Sequence, residues 1–137
     1  MHVLFETEDL ALQNEVNTFL EEWHEANPVL EVQTSGSTGT PKTIVISKKH
    51  MEASAKMTGE FLGLEKGDTA LLCLSPQTIA GKMMLVRALV LELKLIVSNV
   101  SSSPISENKA EFDFTAMVPM QVKNTIENGK LKRIKKL

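Results

Sequence analysis

Residues 34–43 carry the side chains in this sequence that are best suited to holding a phosphate group. The segment reads TSGSTGTPKT and contains six hydroxyl side chains, two glycines, one proline and one lysine. No Asp or Glu occurs in residues 33–51, a stretch that includes three lysines. The local electrostatic field is therefore positive, and this is the part of the chain where an anion would bind.

The backbone of this segment can supply further hydrogen-bond donors. Gly36 and Gly39 permit conformations that other residues rarely adopt, so that successive N–H groups can form a concave anion nest. Lys42 adds a compact positive charge. Each charge-assisted hydrogen bond contributes about 1.5–3 kcal/mol, and three or four of them would hold a di- or triphosphate. The pattern therefore predicts a polyphosphate site.

Two other interpretations fit parts of this segment. A flexible Ser- and Gly-rich hairpin loop without a ligand has the same composition, although Pro41 stiffens this one and predicted strands flank it. The P-loop of nucleoside triphosphatases needs a glycine immediately before its lysine. Here that position is Pro41, which has no N–H to donate to a phosphate, so this interpretation is disfavoured.

The stretch TSGSTGTPK resembles the phosphate-binding signature of the adenylate-forming enzymes, which include acyl-CoA synthetases, luciferases and peptide-synthetase adenylation domains. Two later stretches, LLCLSPQTIAGKMMLVRALVLELKLIV and FDFTAMVPMQVKNTI, are similar to the o-succinylbenzoate–CoA ligases of menaquinone biosynthesis. The resemblance extends from about Pro28 to Leu137. It implies an ATP-dependent acid–CoA ligase that uses ATP, Mg²⁺, coenzyme A and a small carboxylic acid.

The resemblance also implies a role for the glycine-rich segment, which would cradle the ATP phosphates while a carboxylate attacks the α-phosphate. The residues it assigns to phosphate binding are Thr34, Ser35, Gly36, Ser37, Thr38, Gly39, Thr40 and Lys42. Mg²⁺ would be carried mainly by the phosphates, with Thr34 as a candidate contact from the protein. The thiol of coenzyme A would then displace AMP.

A second implied site is the acyl pocket, on the helix that follows Pro76. The residues assigned to it are Thr78, Ala80, Gly81 and Arg87. Arg87 stands where this subfamily carries an arginine near the succinyl carboxylate of its substrate, and the alternative is a salt bridge within the protein. Gly81 also suits close packing. Many relatives carry an aromatic residue and a histidine where this chain has Gln77 and Thr78, so no role is transferred from that histidine.

Lys82 and Arg87 are the two cations of an otherwise apolar helix. A buried cation costs several kcal/mol unless it is paired, so one of the two is expected to have a carboxylate partner. The alternative for Lys82 is that its ammonium group reaches the solvent.

Enzymes of this family are several times longer than 137 residues. The sequence ends before the adenine-binding segment, the Thr-Glu pair, the ribose-binding Asp and the C-terminal domain with its catalytic Lys. No catalytic residue is therefore assigned. The expectation is a single domain, residues 1–137, that is the N-terminal portion of an adenylation domain and is inactive alone. The alternative is a non-catalytic interaction module that forms homo-oligomers through exposed apolar surface.

Composition argues against several other classes. Aromatic residues make up 4 % and the formal net charge is −2, which disfavours base stacking and general polyanion binding. A lone Cys73 cannot form an internal disulfide, and inside an apolar run it is expected to be a core residue with a raised thiol pKa. The scattered histidines indicate no metal site. Neither a leader sequence nor a membrane span is visible, so a cytoplasmic protein without nucleic-acid or membrane partners is expected.

The elements that must position these residues follow from hydrophobic periodicity. Helices are predicted over residues 8–26, 48–62, 79–92 and 120–127, and strands over 29–34, 43–47, 69–75, 94–100 and 113–118. Thr7 is the expected N-cap of the first helix, and Ser47 and Gly63 are expected to bound the second. Apolar residues interrupt the basic run 130–136, which predicts the start of a further element. Alternating strands and helices indicate an α/β fold, a mixed sheet flanked by helices.

Overall fold

The computed structural model describes residues 1–35, 39–107 and 110–137. The helices in these ranges are α1 (Leu10–His24), α2 (Lys48–Leu62), α3 (Ile79–Val90) and α4 (Pro119–Glu127). The strands are β1 (His2–Glu6), β2 (Val29–Ser35), β3 (Pro41–Ser47), β4 (Thr69–Leu72), β5 (Lys94–Ser98), β6 (Phe112–Thr115) and β7 (Ile134–Lys136). A short 3₁₀ helix, Leu131–Arg133, leads into β7.

The strands form two sheets. Five strands lie in the order β1-β5-β4-β6-β7, and every neighbouring pair in that order is parallel. The other two, β2 and β3, form an antiparallel hairpin. The prediction of an α/β fold with helices flanking a sheet is confirmed. The parallel and the antiparallel strand pairs belong to two separate sheets and not to one mixed sheet, because the hairpin does not join the larger sheet.

Side chains of the larger sheet alternate between two apolar layers, as the period of a strand requires. Ala70 and Leu72 of β4 face the main core, which α1, α2 and α3 cover. Leu71 and Cys73 point to the opposite face and pack with Ile105 from the segment after β5. The sheet is therefore buried on both faces at β4, which explains the continuous apolar run in its sequence.

Helix α2 begins and ends where the sequence predicts. The Ser47 hydroxyl accepts a hydrogen bond from the N–H of His50 at 3.4 Å. Gly63 ends the helix in the left-handed conformation with φ of 59°, which glycine adopts without steric cost. Near its end, α2 passes close to Leu91, because a Cβ placed on Gly59 would lie 2.6 Å from that side chain.

Other element boundaries differ from the sequence-based predictions. The N-cap of α1 is Asp9, whose carboxylate accepts from the N–H of Leu12 at 3.2 Å. Thr7 instead hydrogen-bonds Asn99, which follows β5. Strand β1 was not predicted, since its short run of apolar residues lies between His2 and Glu6 without a turn signal. The predicted element at the basic end of the chain is confirmed as β7.

Candidate functional site

The hairpin of β2 and β3 holds the described part of the predicted phosphate segment. Both strands extend further than predicted, and Thr34 pairs directly with Lys42 in the antiparallel register. The Thr34 hydroxyl donates to the Lys42 carbonyl oxygen at 3.3 Å. Lys42 therefore stands on a strand and not in a loop, so its backbone is fixed by cross-strand pairing.

One face of the hairpin is buried at its base and exposed at its far end. Leu30 and Ile46 are cross-strand partners at the base, where they pack into the main core. Strand alternation puts Thr34 and Lys42 on this same face, beyond Val32. The Lys42 side chain is exposed, and among the described residues it has no ion-pair partner. Its ammonium group is therefore available to an anion.

The turn between the two strands is described only in part. Gly39 has φ of +75°, a left-handed conformation that favours glycine, and open space surrounds the position of a Cβ. Thr40 beside it is exposed, and the backbone of Ser35 pairs with Pro41. Gly36, Ser37 and Thr38 lie outside the described residues.

Lys48 fastens the base of the hairpin to α1. Its ammonium group donates to the carbonyl oxygens of Glu22 at 2.6 Å, Trp23 at 3.2 Å and Glu25 at 3.0 Å. Its backbone N–H donates to the Pro28 carbonyl at 2.9 Å. A cation at the carboxyl end of a helix satisfies carbonyl groups that have no partner within the helix. Nothing in the sequence pattern singled out this lysine.

The predicted acyl-pocket residues begin α3. Thr78 is its N-cap, since the hydroxyl accepts from the Gly81 N–H at 3.1 Å and donates to the Ser75 carbonyl at 2.7 Å. Ala80 is exposed. Gly81 is buried, and a Cβ at this position would lie 2.0 Å from the Ser75 carbonyl oxygen. The side-chain direction of Gly81 is therefore occupied by backbone.

The surroundings of Arg87 differ from the expectation that a carboxylate neutralises one cation of this helix. Its Nε is buried and without a hydrogen-bond partner, and its Nη1 lies 3.9 Å from the Met84 sulfur. Burial lowers the pKa of the guanidinium. Lys82 lies over the Phe19 ring, 5.3 Å from its centroid. Within the described ranges neither cation forms a salt bridge, so the alternative of a salt bridge within the protein is not observed there. A substrate carboxylate as the partner of Arg87 stays a prediction, and Lys82 makes a cation–π contact instead.

A polar cavity at the carboxyl ends of β1 and β5 was not predicted. Its volume is about 360 Å³, and its lining includes Glu6, Ser98, Asn99 and Ser101. Crevices at this edge of parallel sheets commonly bind ligands. Sequence reasoning missed it because the residues come from segments about 90 positions apart that match no motif.

Cys73 is buried, and two lysines near the carboxyl end of the chain are bound to other groups of the protein. The Cys73 thiol is buried, and burial raises its pKa to about 11, which confirms the sequence-based expectation. Lys130 donates to the Ile105 carbonyl at 2.9 Å and pairs with Glu107, while Lys135 pairs with Asp113 at 2.6 Å. These cations are engaged within the protein.

In the described ranges, no group of three His, Cys, Asp or Glu side chains is arranged to hold a metal ion. The helices there are also too short or too polar to cross a bilayer.

Comparison with solved structures shows which proteins share this fold. The chain is similar to an acyl-CoA synthetase (AMP-forming)/AMP-acid ligase II-like protein from Dyadobacter fermentans DSM 18053, with 39 % sequence identity and a TM-score of 0.86. The match covers 93 % of this chain and 38 % of that protein. No family model matches the chain, and no curated protein matches it. The fold is therefore that of a part of an acyl-CoA synthetase-like protein.

Proposed function

We propose that residues 1–137 form the N-terminal portion of the adenylation domain of an ATP-dependent acid–CoA ligase. The observation that supports this most is the position of Lys42. Its ammonium group is exposed beside Thr34, on a hairpin whose base is packed into the core. The likeness to an AMP-forming acyl-CoA synthetase supports the same class. The chain spans 38 % of that protein, and the proposal places the remaining reaction machinery in segments outside this chain.

The proposed task of the hairpin is to hold the β- and γ-phosphates of ATP. Its ligating groups are Lys42, the hydroxyls of the segment, and N–H groups around Gly39; the full set is Thr34, Ser35, Gly36, Ser37, Thr38, Gly39, Thr40 and Lys42. A substrate carboxylate attacks the α-phosphate, and pyrophosphate leaves with the negative charge that builds up on it. Positioning and neutralisation of that charge account for most of the catalysis in such displacements.

Mg²⁺ suits this site as an ion carried by the nucleotide. On the face that holds Lys42, the described part of the hairpin offers the Thr34 hydroxyl oxygen, whereas Glu31 points to the opposite face. Mg²⁺ commonly binds through phosphate oxygens with few protein ligands. When bound, it would reduce the charge on the phosphates, and Thr34 would contact it from the protein side.

The proposed acyl pocket lies along α3, with Thr78, Ala80 and Arg87 as candidate contacts to the substrate. Gly81 is the fourth residue of this set, and it lets the helix approach the Ser75 backbone closely. The buried Nε of Arg87 lacks a partner in the described structure, and its guanidinium is suited to a carboxylate in a bidentate geometry. This favours an acid with a second carboxylate. The resemblance of residues 71–97 and 112–126 to o-succinylbenzoate–CoA ligases is what suggests o-succinylbenzoate as that acid, and hence a role in menaquinone biosynthesis in the cytoplasm. Coenzyme A is the proposed acceptor of the acyl group.

Titration of the pure 137-residue chain with Mg·ATP, followed by NMR, tests the phosphate site. We expect weak, saturable shifts, which Lys42→Ala abolishes. The matched control is Lys56→Ala, since Lys56 is an exposed lysine that pairs with Glu52 on α2. Binding that is unchanged in Lys42→Ala would show that the hairpin is not the phosphate site.

A chimera tests the ligase assignment. This chain would replace the matching 38 % of the Dyadobacter fermentans protein, and carboxylate-dependent ATP–pyrophosphate exchange would be measured with a panel of mono- and dicarboxylic acids. We expect exchange by the folded chimera and none by the 137-residue chain alone. Exchange that survives Lys42→Ala in the chimera, or a normal enzymatic rate from the chain alone, would contradict the proposal.

A further inference from the structure

Helix α2 presents to the solvent a stripe with two polar and two large apolar side chains. The stripe consists of His50, Ser54, Met57 and Phe61, which follow one another at helical spacings of four, three and four residues. Phe61 is 89 % exposed and Met57 is 70 % exposed. With neighbouring residues they line an open groove of about 550 Å³. Adjacent exposed apolar side chains of this size are typical of surfaces that contact another molecule.

The opposite side of α2 is already used. Met51, Ala55 and Gly59 are buried in the core or against α3. The stripe therefore faces away from the rest of the described fold, and a partner can reach it without any rearrangement of the core.

The stripe can pack against a second copy of itself. Its amino-terminal half carries His50 and Ser54, and its carboxyl-terminal half carries Met57 and Phe61. In an antiparallel arrangement about a two-fold axis between Ser54 and Met57, each Met57 lies beside Ser54 of the other helix and each Phe61 beside its His50. Isologous contacts of this kind, in which one patch meets itself, are the commonest way for identical chains to associate.

The charges beside the stripe fit the same arrangement. Lys49 lies at the amino-terminal end of α2 and Glu60 near its carboxyl-terminal end, and both are exposed. Neither is in an ion pair with another described residue. Antiparallel packing brings Lys49 of each copy near Glu60 of the other, whereas parallel packing would leave the two residues about 16 Å apart along the helix axis. The charge pattern therefore selects the antiparallel dimer.

From these observations we propose that α2 is a self-association surface, through which two copies of the chain form an antiparallel helix pair centred on Met57 and Ser54. Two large side chains from each copy bury a smaller area than the roughly 800 Å² per partner of a stable interface. The dimer is therefore weak and reversible. The proposal does not depend on the phosphate site, since no stripe residue belongs to the hairpin.

Sedimentation equilibrium of the 137-residue chain, from about 10 µM to about 1 mM, tests this surface. We expect a monomer–dimer equilibrium that Phe61→Glu weakens by roughly tenfold or more, because the variant would bury a charge where a large apolar side chain is buried in the dimer. The matched control is Leu10→Glu on α1, which alters another exposed apolar residue, 71 % exposed, away from α2. Circular dichroism checks that both variants fold.

A charge exchange tests the orientation. Lys49→Glu and Glu60→Lys are each expected to weaken the dimer, and the double variant is expected to restore it. A chain that remains monomeric at 1 mM would overturn the proposal and leave the stripe to another segment of a longer ligase. A dimer that Phe61→Glu leaves unchanged, or single charge variants that the double variant does not rescue, would overturn it as well.

Discussion

The Cα of Gly81 lies directly against the backbone of Ser75, so closely that a Cβ at this position would be 2.0 Å from the Ser75 carbonyl oxygen and 2.6 Å from its carbonyl carbon. The same carbonyl accepts hydrogen bonds from the N–H and the hydroxyl of Thr78, at 3.0 and 2.7 Å. The turn after β4 and the first turn of α3 therefore form one tightly packed unit.

Gly81→Ala is expected to destabilise the chain, because the neighbouring backbone cannot move aside as a flexible side chain can. The expected loss in the free energy of unfolding is about 1–3 kcal/mol, the usual cost of overpacking. Urea denaturation measures it. Ala80→Ser, a change at the adjacent exposed position, is the control and is expected to stay within about 0.5 kcal/mol of the unaltered chain. Equal stability of Gly81→Ala would contradict this packing.

Lys48→Met is expected to loosen the joint between α1 and the hairpin. The variant keeps the length of the side chain but loses three hydrogen bonds from the ammonium group to helix carbonyls. We expect a loss of about 1–2 kcal/mol, and faster amide hydrogen exchange at the carboxyl end of α1 and in β2. Lys49→Met, at the adjacent exposed lysine, is the comparison. Identical exchange in both variants would mean that the joint does not depend on Lys48.

The pH dependence of stability tests the contact between β6 and β7. The Lys135 ammonium and the Thr69 N–H hold the pKa of the Asp113 carboxyl below its usual range. A lowered pKa in the folded state contributes stability above about pH 4, and this contribution is lost as the pH falls through the lowered pKa. Asp113→Asn should therefore be less stable than the unaltered chain at neutral pH, with the difference shrinking below about pH 4. A difference that does not change with pH would refute this.

Cys73 is expected to react slowly with thiol reagents while the chain is folded. Burial raises its pKa to about 11, so only a small fraction is thiolate at pH 8, and access is blocked. Mass spectrometry after iodoacetamide treatment should show labelling that accelerates strongly in urea. Labelling that is as fast in buffer as in urea would place the thiol at the surface.

Local signals were sufficient for some elements and not for others. Both ends of α2 follow from Ser47 and Gly63, because a cap and a left-handed glycine act within one helical turn. The start of α1 was misplaced by two residues, since Thr7 and Asp9 both suit an N-cap. The choice is decided by Asn99, a distant residue that engages the Thr7 hydroxyl.

The candidate site was predictable to a similar extent. The hydroxyl- and glycine-rich composition of residues 34–43 identified the hairpin segment, and strand pairing then fixed Lys42 opposite Thr34. The surroundings of Arg87 could not be deduced, because they depend on which helices pack around α3. The same holds for the three carbonyl groups that converge on Lys48, which come from a helix more than twenty residues earlier.

The pairing of β1 with β5 has a consequence for the order in which the molecule assembles. His2 is in register with Lys94, so β1 has no partner until the chain has been synthesised at least as far as β5. Contacts of such large sequence separation slow folding, because a long loop must close before they form. In nascent chains the apolar residues of β1 would therefore stay exposed until β5 is available. Chaperones that shield short hydrophobic segments would be expected to raise the yield of folded protein.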